Sequence, residues 1–164
     1  MKGSQLAVKV ALSSGGAALD RFCVRHLGHS PVSWVFARSE GVAYNRPLLL
    51  VTVGQRTGKE RTVVLPHFRA GGGRIAVVGS RGGMPTDPYW ARNLRAHPEA
   101  RVIVDRREHR VRTHLAGGEE RTRLWREIVQ RSPVYGVYQE RAKGHREIPV
   151  FVLERADGGA LEAP

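Results

Sequence analysis

Two short stretches of this chain place small residues and cations directly after apolar runs: Gly54-Gln55-Arg56-Thr57-Gly58-Lys59-Glu60-Arg61 and Ser80-Arg81-Gly82-Gly83. Small residues let a backbone approach an anion closely, and Arg56, Lys59 and Arg61 can each add a charge-assisted hydrogen bond of about 1.5–3 kcal/mol. The second stretch leads toward a helix start at Asp87-Pro88, with Thr86, Tyr89 and Trp90 beside it. A helix N-terminus adds backbone donors for anions or for polar ring edges. Alone, either turn is what many hairpins carry. Two of them in one sheet, with aromatic residues alongside, suggest a phosphorylated ligand that bears a ring.

Other chemistries lack their residues. There is no nucleophile elbow, Walker loop, His-Glu-x-x-His or dinucleotide-binding glycine fingerprint. His26, His29, His67, His97, His109, His114 and His145 are scattered, and none stands at metal-ligand spacing with a second histidine and a carboxylate. No metal is expected. The single cysteine, Cys23, falls on an apolar helical face and reads as core; alone it excludes an internal disulfide.

The elements that must position the two turns follow from hydrophobic periodicity. Leu48–Val53 is a β-rich run, Arg61–Phe68 a second strand, and Gly71-Gly72-Gly73 turns the chain into a third over Ile75–Gly79. A helix follows to about Ala96, with Asp87 as its N-cap and Pro88 at its first position. Arg101–Asp105 and His109–Leu115 form a hairpin, helices cover Glu119–Arg131 and Pro133–Arg141, and Ile148–Leu153 closes as a strand. The N-terminal region reads as a helix broken at Gly15-Gly16. Beyond the break Leu19, Phe22, Cys23, His26 and Leu27 recur at helical spacing, and a second apolar piece spans Val32–Phe36. Six mainly antiparallel strands with inserted helices predict an α+β fold around a small barrel. The chain divides into an N-terminal helical segment (1–40), a cofactor-binding barrel domain (41–155) and a Gly/Ala-rich flexible tail (156–164).

At 164 residues, 41% hydrophobic and 26% charged, the composition is that of one globular domain. It has no apolar run near the ~20 residues that cross a bilayer, and Lys9 interrupts any signal-like stretch. A cytoplasmic protein is expected. Net charge is +12, and residues 41–110 hold thirteen cations against five anions, so the excess lies where the two turns lie. A nucleic-acid module would also be basic, yet eleven aromatic residues without regular interleaving do not make a stacking platform. A basic amphipathic N-terminal helix is compatible with peripheral membrane contact. Both monomer and homodimer remain open.

Six segments in order carry a resemblance. They are residues 48–62, Ser80-Arg81-Gly82-Gly83, Asp87–Leu94, His97-Pro98-Glu99, Tyr135-Gly136-Val137-Tyr138 and Ile148–Glu154. Together, over about residues 19–154, they resemble the deazaflavin-dependent nitroreductase family, split β-barrel oxidoreductases that use reduced coenzyme F420. The resemblance implies that Arg56, Thr57 and Arg61 hold the phosphate and acidic tail of the cofactor. Ser80, Arg81, Gly82 and Gly83 would line the deazaflavin ring and its ribityl chain, and Trp90 and Asn93 would hold the following helix against that pocket. Tyr135 matches a tyrosine implicated in substrate orientation or proton delivery, with Tyr138 on the same helical side. Gln55 stands where a cation is common and Lys59 where a neutral residue is. Val64, Pro66-His67 and Ser132 depart on the substrate side.

The expected function is hydride transfer from reduced F420 to a small-molecule electron acceptor: a quinone, nitro compound or activated alkene. A hydride-carrying cofactor asks the protein only to bind and orient, which agrees with the missing catalytic motifs. The expected catalytic set is Tyr135, Ser80 and Tyr138. The rival within the fold is a flavin mononucleotide (FMN) enzyme or cofactor carrier, since phosphate-binding arginines suit both ligands.

Overall fold

A computed structural model describes residues 14–40 and 44–161. Helices α1 (Ser14–Leu27) and α2 (Pro31–Glu40) precede strands β1 (Pro47–Val53), β2 (Glu60–Pro66), β3 (Phe68–Gly71) and β4 (Arg74–Val78). A short 3₁₀ turn at Arg81–Gly83 leads to α3 (Tyr89–Ala96), then β5 (Glu99–Val104), β6 (Arg107–Leu115), α4 (Gly118–Arg131), α5 (Val134–Ala142) and β7 (Val150–Arg155).

The seven strands form one antiparallel sheet in the order β2-β1-β5-β6-β7-β4-β3. Its two edge strands, β2 and β3, are consecutive in the chain with only His67 between them. Two residues of extended chain reach at most about 7 Å, so the sheet must curl until its edges nearly meet. That is a split barrel. The expected single strand Arg61–Phe68 is therefore two strands, and the expected six are seven. Pro66 is the last residue of the β1–β2 ladder, opposite Pro47. Lacking an N–H, it ends the pairing where the chain crosses to the other edge.

Strand alternation sends Leu48, Leu50, Ile75, Val77, Val102, Val104, Phe151 and Leu153 into one core, which Trp90, Ala91 and Leu94 of α3 close. Burying each large aliphatic side chain contributes about 1.5–3 kcal/mol. Ala76, Val78, Val150 and Val152 face the other way and pack under Leu124 and Ile128 of α4 and Tyr135 of α5. Leu49, Val51 and Ile103 face Val24 of α1. Because β1 is covered on both faces, it reads as an unbroken apolar run rather than an alternating one.

Gly15 and Gly16 lie in the first turn of α1; the helical stretch expected ahead of them falls on residues 1–13, outside the described residues. The apolar face foreseen on this helix is not its packing face. Leu19, Phe22 and Leu27 are about 60% exposed, while Val24 and Asp20 turn inward. Asp20 fixes the α1–α2 corner by accepting from the Ser30 hydroxyl at 2.8 Å and the Val32 amide at 3.1 Å. Asp87 does not cap α3. Pro88 is the residue before the helix, no side chain caps it, and Asp87 is held instead by Arg146 and Arg95. The terminal segment also has a packed member: Leu161 is buried and its amide donates to the Gly73 carbonyl at 2.8 Å.

Candidate cofactor-binding cleft

The β1–β2 loop closes on itself. The Gly54 amide donates to the Lys59 carbonyl at 2.9 Å, and the Thr57 and Gly58 amides return to the Gly54 carbonyl at 3.1 and 2.8 Å. A Cβ on Gly54 would lie 2.8 Å from the Thr57 hydroxyl and 3.2 Å from the Lys59 carbonyl, so any larger residue would have to push both aside to keep this closure. Asn93 of α3 then locks the loop to the helix. Its amide nitrogen donates to the buried Thr52 hydroxyl at 3.0 Å, and its oxygen accepts the Gln55 backbone N–H at 3.2 Å.

Between this loop and the start of α3 lies a cleft of about 650 Å³. Four arginines line it: Arg56 and Arg61 from the loop side, Arg81 from the second turn, and Arg92 from α3. Among the described residues no carboxylate lines it. Trp90 and Val63 supply apolar wall. Trp90 is itself fixed by an edge-on contact with Phe151, ring centroids 5.8 Å apart. The Arg92 guanidinium sits 4.4 Å from the centre of the exposed Tyr89 ring, and its buried Nε has no hydrogen-bond partner.

The second turn has an unusual backbone. Arg81, Gly82 and Gly83 all have positive φ (45°, 64° and 81°). Arg81 reaches the Thr86 hydroxyl at 2.6 Å. Gly83 is needed by packing as well: a Cβ there would lie 2.6 Å from the Tyr138 carbonyl and 2.7 Å from Cβ of Arg141, so α5 rests directly on this turn.

The structure thus gathers Gln55, Arg56, Thr57, Arg61, Arg81, Trp90 and Asn93 around one cleft. Lys59 is exposed at the loop's end, and its backbone rather than its ammonium serves the turn. Ser80, Gly82 and Gly83 shape the neighbouring turn without lining the cleft. Tyr135 lies elsewhere, buried in the core under α5 and edge-on to Phe68 and Tyr138 at 5.5 and 5.9 Å. Burial, and next the neighbouring Tyr138, push its hydroxyl well above the ordinary tyrosine pKa. Two contributors escaped the sequence reading. Arg92 carried a signal, its spacing of three from Tyr89 on a helix. Arg146 carried none: a lone arginine before β7, it reaches back to residues 79–87.

Among the described residues no group of three His, Cys, Asp or Glu could hold a metal ion. The cleft's lining suits a polyanion with a flat ring: four guanidiniums, a tightly closed loop with little room for a Cβ at Gly54, and one orphaned guanidinium N–H. These features fit F420, whose phosphate and carboxylates are joined to a ring system.

Comparison with known proteins agrees with that fit. Residues 34–155 match the family described as F420H(2)-dependent quinone reductase. An F420H(2)-dependent quinone reductase of Mycobacterium tuberculosis strain H37Rv is 34% identical over 111 residues, 66% of this chain and 72% of the relative. The solved structure of an F420-H2 dependent reductase (FDR-A) is 34% identical, with a TM-score of 0.59 over 66% of this chain and 93% of that one. A second structure, described as a domain-swapped dimer, is 33% identical, with a TM-score of 0.60 over 76% of this chain and all of that one. With the curled antiparallel sheet, the carboxylate-free arginine cleft and these matches in agreement, the chain belongs to the F420H(2)-dependent quinone reductase family of split-barrel oxidoreductases.

Proposed function

We propose that this protein reduces a quinone with F420H2 bound in the cleft between the β1–β2 loop and α3. The observation that carries the reading is the cleft lining of four arginines with no carboxylate among the described residues. Reduced F420 supplies a hydride in one two-electron step. Arg56 and Arg61 neutralise its phosphate and acidic tail. Arg81 and Arg92 supply charge on the opposite wall, and Trp90 gives the ring an apolar surface. Asn93 keeps the loop at its distance from α3, so that the anion-binding and ring-binding walls hold one separation.

The reduced acceptor must also gain a proton. The Tyr135 hydroxyl lies outside the cleft lining, and burial makes it a weaker acid than an ordinary tyrosine. Solvent at the cleft mouth therefore delivers the proton, while Tyr135 and Tyr138 position α5 against the Arg81–Gly83 turn. The deciding experiment mixes the protein with F420H2 and a water-soluble quinone, a nitroaromatic or an activated alkene, and follows the return of the oxidised deazaflavin absorbance. Protein-dependent oxidation is fastest with the quinone; a fastest rate with either other acceptor contradicts the substrate class.

No helix among the described residues is long and apolar enough to cross a membrane. Leu19, Phe22, Leu27 and Trp34 are nevertheless exposed on α1 and α2, with Arg25 and Arg38 exposed on the same two helices. These exposed apolar and basic side chains meet an anionic membrane surface, where lipid-soluble quinones reside. Flotation with anionic liposomes, lost in a Leu19→Ser/Phe22→Ser variant, tests it; equal flotation of the variant contradicts it.

A further inference from the structure

We propose that Arg146 is the positioning residue of the cleft's second wall, holding the segment 79–87 in its ligand-ready shape. The inference rests on the cleft being the F420 site.

Arg146 lies between α5 and β7, and its side chain is only 10% exposed. A buried guanidinium is costly unless its donors are matched, because the charge has left water. Here they are matched by one loop. Nε donates to the Met84 carbonyl at 2.9 Å, one terminal nitrogen to the Gly79 carbonyl at 3.0 Å and the Asp87 carboxylate at 2.8 Å, and the other to the Ser80 carbonyl at 2.7 Å. Gly79 and Ser80 lead out of β4, and Asp87 stands two residues before α3. A single planar group therefore ties together both ends and the middle of the segment. The rigid fork of arginine can do this; the single point of a lysine cannot.

The segment needs such a tie. Arg81, Gly82 and Gly83 follow one another at positive φ, and Arg81 is not a glycine. A backbone in that region persists where its surroundings over-determine it. The wall it forms matters to the cleft, since Arg81 lines it before the segment's end and Pro88 and Tyr89 line it just after.

Arg146 is anchored in turn. Gln139 of α5 donates to the Arg146 carbonyl at 3.2 Å and accepts the Ile148 amide at 2.8 Å. Asp87 passes the tie onward to Arg95 of α3 at 3.2 Å. A continuous polar path thus joins the tyrosine-bearing α5 to the cleft wall and to α3.

The test compares Arg146→Ala with Arg121→Ala. Arg121 is an arginine buried to the same degree, its side chain 11% exposed, bonded to the Ile148 carbonyl at 3.1 Å and stacked on Trp125, but it does not line the cleft. Two measurements are made: F420 dissociation constants by tryptophan fluorescence, and amide hydrogen exchange of residues 79–87 in the ligand-free protein. Arg146→Ala is expected to weaken F420 binding on the order of tenfold or more, to speed exchange in that segment above the global change, and to regain affinity with added guanidinium ion. Arg121→Ala, at a matched fall in melting temperature, keeps wild-type affinity. Wild-type affinity in Arg146→Ala, or an equal loss in Arg121→Ala, overturns the proposal. If Arg146→Ala does not fold, Arg146→Lys replaces it, with a smaller loss expected and wild-type affinity and exchange again overturning the role. Failure of the wild-type protein to bind F420 overturns the cleft assignment itself, and this proposal with it.

Discussion

Adjacent glycines in the second turn offer a controlled test of how α5 and the cleft wall are joined. Gly82 and Gly83 both have positive φ, 64° and 81°. A Cβ on Gly82 would meet nothing within 4 Å, whereas one on Gly83 would lie 2.6 Å from the Tyr138 carbonyl and 2.7 Å from Cβ of Arg141. Gly82→Ala therefore bears only the left-handed backbone penalty, about 1–2 kcal/mol. Gly83→Ala bears that penalty plus overpacking of about 1–3 kcal/mol, for a total of about 2–5 kcal/mol. The obstruction is backbone and a Cβ, which cannot swing aside as a side-chain tip can. At roughly 2–4 °C per kcal/mol for a domain of this size, Gly82→Ala should melt some 2–8 °C lower and Gly83→Ala some 4–20 °C lower. Thermal unfolding followed by far-UV circular dichroism reads both, and urea midpoints supply a second scale. Equal midpoints for the two variants would refute the packing of α5 on Gly83, leaving backbone conformation as the only requirement.

Two further outcomes are expected. Replacing Arg61 by Gln removes one charge-assisted hydrogen bond to the cofactor, worth about 1.5–3 kcal/mol and thus roughly 10–150-fold in F420 affinity; Lys59→Gln, whose ammonium is not in the cleft lining, should change affinity far less, and equal losses would contradict the lining. Burial favours the protonated hydroxyl of Tyr135, so its folded-state pKa exceeds the unfolded one and stability is lost as pH rises above the unfolded value of 10.0. Tyr135→Phe should leave the tyrosinate absorbance titration of the native protein unchanged through the ordinary tyrosine range; a lost titrating group there would contradict the burial.

The parts of the fold legible in the sequence were those set by local pattern. The unbroken apolar run of β1, the 99–115 hairpin and the α4 face at Leu124 and Ile128 follow from periodicity, because each buries a face whose residues are close in sequence. The β2–β3 division is marked by Pro66, but its consequence is not local: one residue carries the chain between opposite sheet edges. Periodicity finds the apolar face of α1 without saying what covers it, and Leu19 and Phe22 prove to point outward. Asp87 has the right type and position for an N-cap, yet the buried guanidinium of Arg146 competes for the same carboxylate and wins. Leu161 was hidden by its glycine- and alanine-rich surroundings, although the Gly73 carbonyl gives its amide a partner.

Around the cleft the same division holds. Loop composition pointed to Arg56, Lys59 and Arg61, because glycines and cations on one turn are neighbours whatever the fold does; Arg56 and Arg61 line the cleft and Lys59 does not, while Thr57 needed the resemblance. Trp90 and Asn93 needed the resemblance, since only the sheet's curl brings α3 over the β1–β2 loop. Arg146 needed the structure, since it stands 59 positions along the chain from Asp87.

The most direct test of the account is a titration of the purified protein with F420 and with FMN, following tryptophan fluorescence, since Trp90 lines the cleft. The arginine-lined cleft predicts saturable quenching by F420, weakened by salt and by Arg61→Gln, at concentrations where FMN has no effect. Preference for FMN, or F420 binding indifferent to Arg61, would contradict it.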